Sequence, residues 1–110
     1  MKGMAEPRVL SEAEIQAGLG ELNGWELRDS RLRKQYTFRT FLRAIAFVNA
    51  MAYLAESAGH HPDMTINYNR VTLRLITHSA EALTDRDFAL AQAIDSKLGT
   101  KLIISPEGQE

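Results

Sequence analysis

The run from Thr40 to Gly59 limits the possible folds more than any other part of the chain. Thr40 is a helix-capping residue whose hydroxyl can accept from a first-turn N–H, and Gly59 can take the left-handed conformation that ends a helix. On a helical wheel Phe41, Ile45, Phe47, Val48, Met51, Ala52, Leu54 and Ala55 cover an arc of about 180°, with Arg43, Asn49, Tyr53, Glu56 and Ser57 on the remainder. The length approaches that of a membrane span, but Arg43, Asn49 and Glu56 argue against one. The spacing therefore predicts a long amphipathic helix at the centre of a core. A chain of 110 residues has room for one such core, so residues 1–110 are expected to form a single domain.

Both flanks of this helix change to a period of two. Trp25 and Leu27 alternate with Glu26 and Arg28; after a break near Asp29-Ser30, Leu32, Tyr36 and Phe38 alternate with Arg31, Arg33, Gln35 and Thr37. Met64 to Tyr68 and Val71 to Ile76 alternate in the same way around Asn69-Arg70. Alternation with polar partners marks strands with one wet face, hence antiparallel pairing. The basic residues Arg31, Arg33, Lys34 and Arg39 read more readily as a solvated sheet face than as an anion patch.

Two shorter helices complete the pattern. Ser11-Glu12-Ala13-Glu14 has the form of a capping box, with Ile15, Leu19 and Leu22 at helical spacing and Asn23-Gly24 as the expected stop. Gly18 and Gly20 weaken this helix, which then depends on packing. Leu83-Thr84-Asp85-Arg86-Asp87-Phe88 repeats the start signal, followed by the stripe Phe88, Ala91, Ile94 and Leu98 and a stop at Gly99. Leu102 to Ser105 is a short apolar tail. The expected fold is α+β: a four-stranded antiparallel sheet with helices packed on one face, in the order α-β-β-α-β-β-α.

Composition removes several classes of function. The net charge is -1, which offers no general attraction to nucleic acid. With no cysteine there is no thiol nucleophile, thiolate metal site or disulfide framework. The first residues hold no apolar signal segment, so a cytoplasmic protein with no membrane association is expected.

Chemistry gathers in one place. All three histidines of the chain fall between positions 60 and 78: His60, His61 and His78. Imidazole both gives and takes protons near neutral pH, with an unperturbed pKa of about 6.5. Glu56, in the last turn of the long helix, can reach this segment. Asp87 is explained as a capping acid and can also orient a histidine. With a two-residue loop at Asn69-Arg70, Tyr68 pairs with Val71, Ile66 with Leu73 and Met64 with Leu75. Continuing the count sets His61 opposite His78, with Cβ atoms about 5 Å apart. Pro62 and Gly59 bracket His60 and leave it unplaced.

The pattern Glu56-x3-His60-His61-Pro62-x5-Tyr68-x9-His78-x8-Asp87 resembles the signature of the pterin-4a-carbinolamine dehydratases. Gly24-Trp25, His60-His61-Pro62-Asp63, Tyr68-Asn69-x-Val71, Thr77-His78 and Leu83-Thr84-x-x-Asp87 are similar to that family too, and the likeness runs from Leu22 to Asp95. There are two departures. Glu81-Ala82 stands where family members commonly have a glycine pair, and Met64 where many carry an aromatic residue. The resemblance implies dehydration of 4a-hydroxytetrahydrobiopterin to quinonoid dihydropterin and water, with no cofactor and no metal. By the same resemblance His60 and His78 would transfer protons and His61 would bind or orient the substrate, while the strand count favours His61 and His78 as the facing pair. Glu56, Pro62 and Asp87 would support them. Trp25 is either a stacking surface for the pterin or a core residue. Relatives also imply a homodimer or homotetramer, built by joining sheet edges and packing helices. Two alternatives remain beside catalysis: a zinc site from His60, His61, His78 and Glu56, and a non-catalytic pterin-binding or dimerisation-cofactor module.

Overall fold

Two hairpins and the helix between them set the architecture. The computed structural model describes residues 6–98. Along the chain these form α1 (Glu12–Leu19), β1 (Glu26–Arg28), β2 (Arg31–Thr37), α2 (Phe41–Ala58), β3 (Asp63–Asn67), β4 (Arg70–Leu75) and α3 (Asp85–Lys97). The strands pair antiparallel in the order β1-β2-β4-β3, giving the expected α+β fold and element order. The expected stop at Gly99 and the tail from Leu102 to Ser105 lie outside the described residues.

The alternation decides which face is dry. Leu32, Tyr36 and Phe38 of the second strand and its end, with Val71, Leu73 and Leu75 of β4, turn inward and are buried. Ala44, Phe47, Met51 and Ala55 of α2 and Phe88, Leu90, Ala91 and Ile94 of α3 cover them. Each such large apolar side chain contributes about 1.5–3 kcal/mol on burial. That outweighs the exposed ion pairs of the opposite face, each worth about 0–1 kcal/mol.

Lys34 departs from the expected solvated face. It shares the parity of Leu32 and Tyr36, so its side chain goes inward, where it is 16% exposed and lies 3.1 Å from Asp95. Asp95 also accepts from the Trp25 indole N–H at 3.0 Å. Trp25 is thus a core residue, 7% exposed. The Tyr36 hydroxyl is buried in the same region with no hydrogen-bond partner among the described residues, and burial pushes its pKa well above the ordinary value, with Asp95 adding to the effect.

The turns explain where the strand count holds and where it fails. Asp29 and Ser30 both take positive φ, 53° and 64°, as a tight two-residue hairpin loop requires. The β3–β4 loop is one residue earlier than expected, at Tyr68-Asn69, with Tyr68 at φ 54°. Asn69 is held there by the end of β2: its side-chain amide donates to the Phe38 carbonyl at 2.7 Å, and its own carbonyl accepts from the Phe38 N–H at 2.8 Å. Met64 therefore pairs with Leu73 and Ile66 with Val71, a slip of two that keeps every side chain on its expected face.

The helices differ from expectation in extent. Thr40 caps α2 and Gly59 ends it at φ 64°, but its buried stripe is narrower than the apolar arc. Phe41 is 49% exposed and Ala52 is exposed, while Ala44 is buried. One sheet face covers only a stripe of such a helix, so Phe41, Leu42 and Tyr53 remain outside. The Ser11/Glu14 capping box opens α1 as expected, but the helix ends at Leu19, short of Asn23-Gly24. It docks through Gly18, where a Cβ would fall 2.6 Å from the Phe88 ring.

Candidate active site

The site grows from the start of α3. Thr84 caps that helix, and Asp87 answers it in a reciprocal capping box, accepting from the Thr84 N–H at 2.9 Å. The same carboxylate oxygen accepts from the Thr77 hydroxyl at 2.8 Å, and Thr77 and Thr84 share a hydrogen bond of 2.7 Å. The other oxygen lies 2.6 Å from His60 Nε2. Asp87 is fully buried. A carboxylate can only accept, so Nε2 of His60 is the donor and, in the neutral ring, Nδ1 keeps the lone pair. The capping acid and the histidine-orienting acid are one residue.

The remaining histidines are held more loosely. Gly59 turns the chain at the end of α2, and His60, His61 and Pro62 lead from it into β3. His61 Nε2 lies 2.7 Å from Glu56 Oε2, both exposed, so the last turn of α2 does reach the histidine segment. Pro62 is half-buried just before the first strand residue, Asp63. His78 Nε2 lies 3.8 Å from Asp63 Oδ2 and its side chain is 66% exposed.

The expected ladder pairing of His61 with His78 does not form. β3 begins at Asp63 opposite Arg74, and β4 ends at Leu75, because the anchored Asn69 moves the register by two. His78 instead leaves the sheet in a short loop closed by the Thr77–Ala82 bridge. In that loop Glu81 has φ 52°, a left-handed conformation that glycine adopts freely. This is the position of the departure from the usual glycine pair, and the loop forms with the glutamate in place. Sequence reasoning gave Asp63 and Thr77 no role. Asp63 directly follows the His-His-Pro motif and so was within reach of a local reading; Thr77 acts through a tertiary contact that local patterns do not reveal.

Each histidine thus has its own carboxylate: His60 with Asp87, His61 with Glu56, His78 with Asp63. Among the described residues no three histidine, aspartate or glutamate side chains are grouped so as to hold a metal ion. An apolar groove of about 380 Å³, lined by Gly59, His60, Arg86, Ala89, Leu90 and Ala93, runs beside His60 between the helices. Imidazoles beside carboxylates can move protons at neutral pH without further help.

A small α+β domain with three histidine–carboxylate pairs around the start of one edge strand defines a class suited to acid–base chemistry on a small molecule. The family model described as Pterin 4 alpha carbinolamine dehydratase matches residues 8–97, and the chain belongs to that family. A Chloroflexus aurantiacus protein provisionally named pterin-4-alpha-carbinolamine dehydratase is 51% identical over 90 residues, 82% of this chain and 97% of the relative. The crystal structure of a transcriptional coactivator/pterin dehydratase from Brucella melitensis is similar at a TM-score of 0.76 and 32% identity, covering 81% of this chain and 97% of that one. A pterin dehydratase-like RuBisCO assembly factor of the alpha-carboxysome shares the fold at a TM-score of 0.56 and 23% identity, over 67% of this chain and 88% of that one. No helix among the described residues is long and apolar enough to cross a membrane.

Proposed function

We propose that this protein dehydrates 4a-hydroxytetrahydrobiopterin, the 4a-carbinolamine, to quinonoid dihydropterin and water, in tetrahydrobiopterin recycling. The observation that carries the reading is the set of three histidine–carboxylate pairs, in a chain of this family. The reaction breaks the C4a–O bond and forms the C4a=N5 double bond. An acid must protonate the departing hydroxyl, and a base must take the proton from N5. In this reading His60, held by Asp87 with its Nδ1 lone pair free, is the base, and His78 in protonated form is the acid. His61, steadied by Glu56, binds the ring, and Pro62 fixes the chain direction into β3. The two proton transfers balance, so the reaction consumes no cofactor.

The test is turnover of freshly generated carbinolamine by the purified chain. His78→Ala is expected to lower the turnover number by about 10²–10⁴ with the circular dichroism spectrum unchanged. Turnover indistinguishable from the uncatalysed rate in the unaltered chain would end the dehydratase reading.

The exposed side chains Leu42 and Tyr53 on α2, 75% and 80% exposed, together with the open edge of β3, support self-association as a homodimer or homotetramer. Light scattering at micromolar concentration is expected to give the mass of two or four chains. A lasting monomer would favour the alternative in which this surface serves a different protein partner, as a pterin-binding interaction module.

A further inference from the structure

The outer face of the sheet carries a charge pattern that the histidine chemistry leaves unused. Arg28 stands directly opposite Arg31 across β1 and β2, and Arg33 directly opposite Arg74 across β2 and β4. Like charges on directly opposed positions destabilise a sheet. Two such oppositions side by side therefore need an account beyond a solvated surface.

The neighbouring carboxylates do not neutralise the four cations. Glu26 is shared, 2.8 Å from Arg33 and 3.4 Å from Arg28. Arg31 reaches Asp63 only at 3.7 Å. Arg74 donates to the neutral hydroxyl of Thr65 at 2.9 Å. The four arginines, with Asp29, line an open recess of about 460 Å³. The Arg33 side chain is 23% exposed, so its charge is partly removed from water.

Asp63 joins this recess to the histidines. One of its oxygens lies 3.7 Å from Arg31 Nη1 and 3.8 Å from His78 Nε2. Its own strand position is directly opposite Arg74. A small molecule whose ring meets His78 can therefore extend a substituent past Asp63 onto the arginines.

We propose that the recess binds an anionic group, a phosphate or a carboxylate, at the end of the substituent of the pterin, so that a pterin with a negatively charged substituent is taken in preference to the neutral biopterin, which remains a substrate. This rests on the pterin reading of the histidine site. Guanidinium groups present a planar fork that matches either anion bidentately. An anion between Arg33 and Arg74 also relieves their mutual repulsion, which a neutral polyol cannot do.

The test compares unreactive oxidised pterins that differ only at the end of the substituent: a neutral hydroxyl, a phosphate monoester and a carboxylate. Calorimetry on the full chain is expected to show at least one anionic compound binding about tenfold tighter or more than the neutral one, and the difference shrinking with added salt. Which anion leads identifies the group, and inorganic phosphate should compete with the anionic compounds alone. Arg33→Gln combined with Arg74→Gln, checked for folding by circular dichroism, should bring the affinities together. Equal affinities in the unaltered chain, or a preference that survives the double substitution, would overturn the proposal. Turnover of the neutral carbinolamine is measured alongside. Turnover without anion preference removes the recess and keeps the dehydratase; anion preference without turnover does the reverse; no pterin binding removes both.

Discussion

Helix α3 holds a largely buried aspartate near each end, Asp87 and Asp95, and the two differ in the partners they keep. Asp95, 11% exposed, accepts from the Trp25 indole N–H, the Lys34 ammonium and the Asn23 backbone N–H. Asp87, fully buried, accepts from the Thr77 hydroxyl, the Thr84 backbone N–H and the His60 imidazole. Residue type, helix and the number of donors are alike. The difference lies in one partner. Lys34 offers Asp95 an ammonium, a charged donor with no acceptor role, whereas His60 offers Asp87 an imidazole, the side-chain type that can both give and take a proton. In the proposed reading the carboxylate with the ammonium partner is a strut, and the carboxylate with the imidazole partner serves the site.

Substitutions at the two ends put this contrast to the test. The largest effect is expected at Asp87. Asp87→Asn keeps the shape but removes the charge behind His60, and turnover should fall by about 10–10² or more, the loss typical when the group orienting a functional histidine is removed. Steady-state kinetics on the folded variant measures it, and an unchanged rate would reduce Asp87 to a helix cap. Next is Asp95→Asn, which strands the mostly buried Lys34 ammonium. Denaturant unfolding should show a loss of about 1–3 kcal/mol, with the turnover number of the folded fraction retained. If this variant lost turnover as Asp87→Asn does, the distinction between strut and site would collapse.

Two smaller effects sharpen the contrast. Glu81→Gly removes a side chain from a left-handed position in the loop that carries His78, and should raise the unfolding free energy by about 0.5–1 kcal/mol. The same change loosens the loop, so a fall in turnover with the rise in stability would show that the stiffness given by Glu81 serves His78. Smallest is Tyr36→Phe beside Asp95. The buried hydroxyl has no partner among the described residues, and deleting it should change stability by less than about 1 kcal/mol, in the stabilising direction. A clear loss would reveal a hydrogen bond in the Asp95 cluster.

What could be read in advance follows the sequence distance of the contacts. Asp87 was legible as a cap because its box with Thr84 spans three residues, and the same carboxylate meets His60. The ends of α2 were legible for the same reason, each set by one residue, Thr40 and Gly59. Lys34 shares the parity of Leu32 and Tyr36, so its inward direction was available from the alternation alone. The Asp95 cluster was not, since its contact with Trp25 closes across 70 residues. The slip in the second hairpin has the same origin: Tyr68-Asn69 and Asn69-Arg70 are both acceptable loops, and the choice is made by Phe38, 31 residues from Asn69.

The missing side chain of Gly18 has a consequence for the order in which the molecule opens. None of the residues of α1 is buried, and the helix meets the body where its bare backbone lies against Phe88, the residue after Asp87. Lifting α1 uncovers only the partly buried Ile15 and Leu19, whereas β4 is buried along most of its length, so the amides of α1 should exchange with solvent through local opening well before those of β4. That opening uncovers one side of Phe88 while leaving the Thr84–Asp87 box closed. The first turn of α3 can therefore lose its outer neighbour and still hold His60 in place.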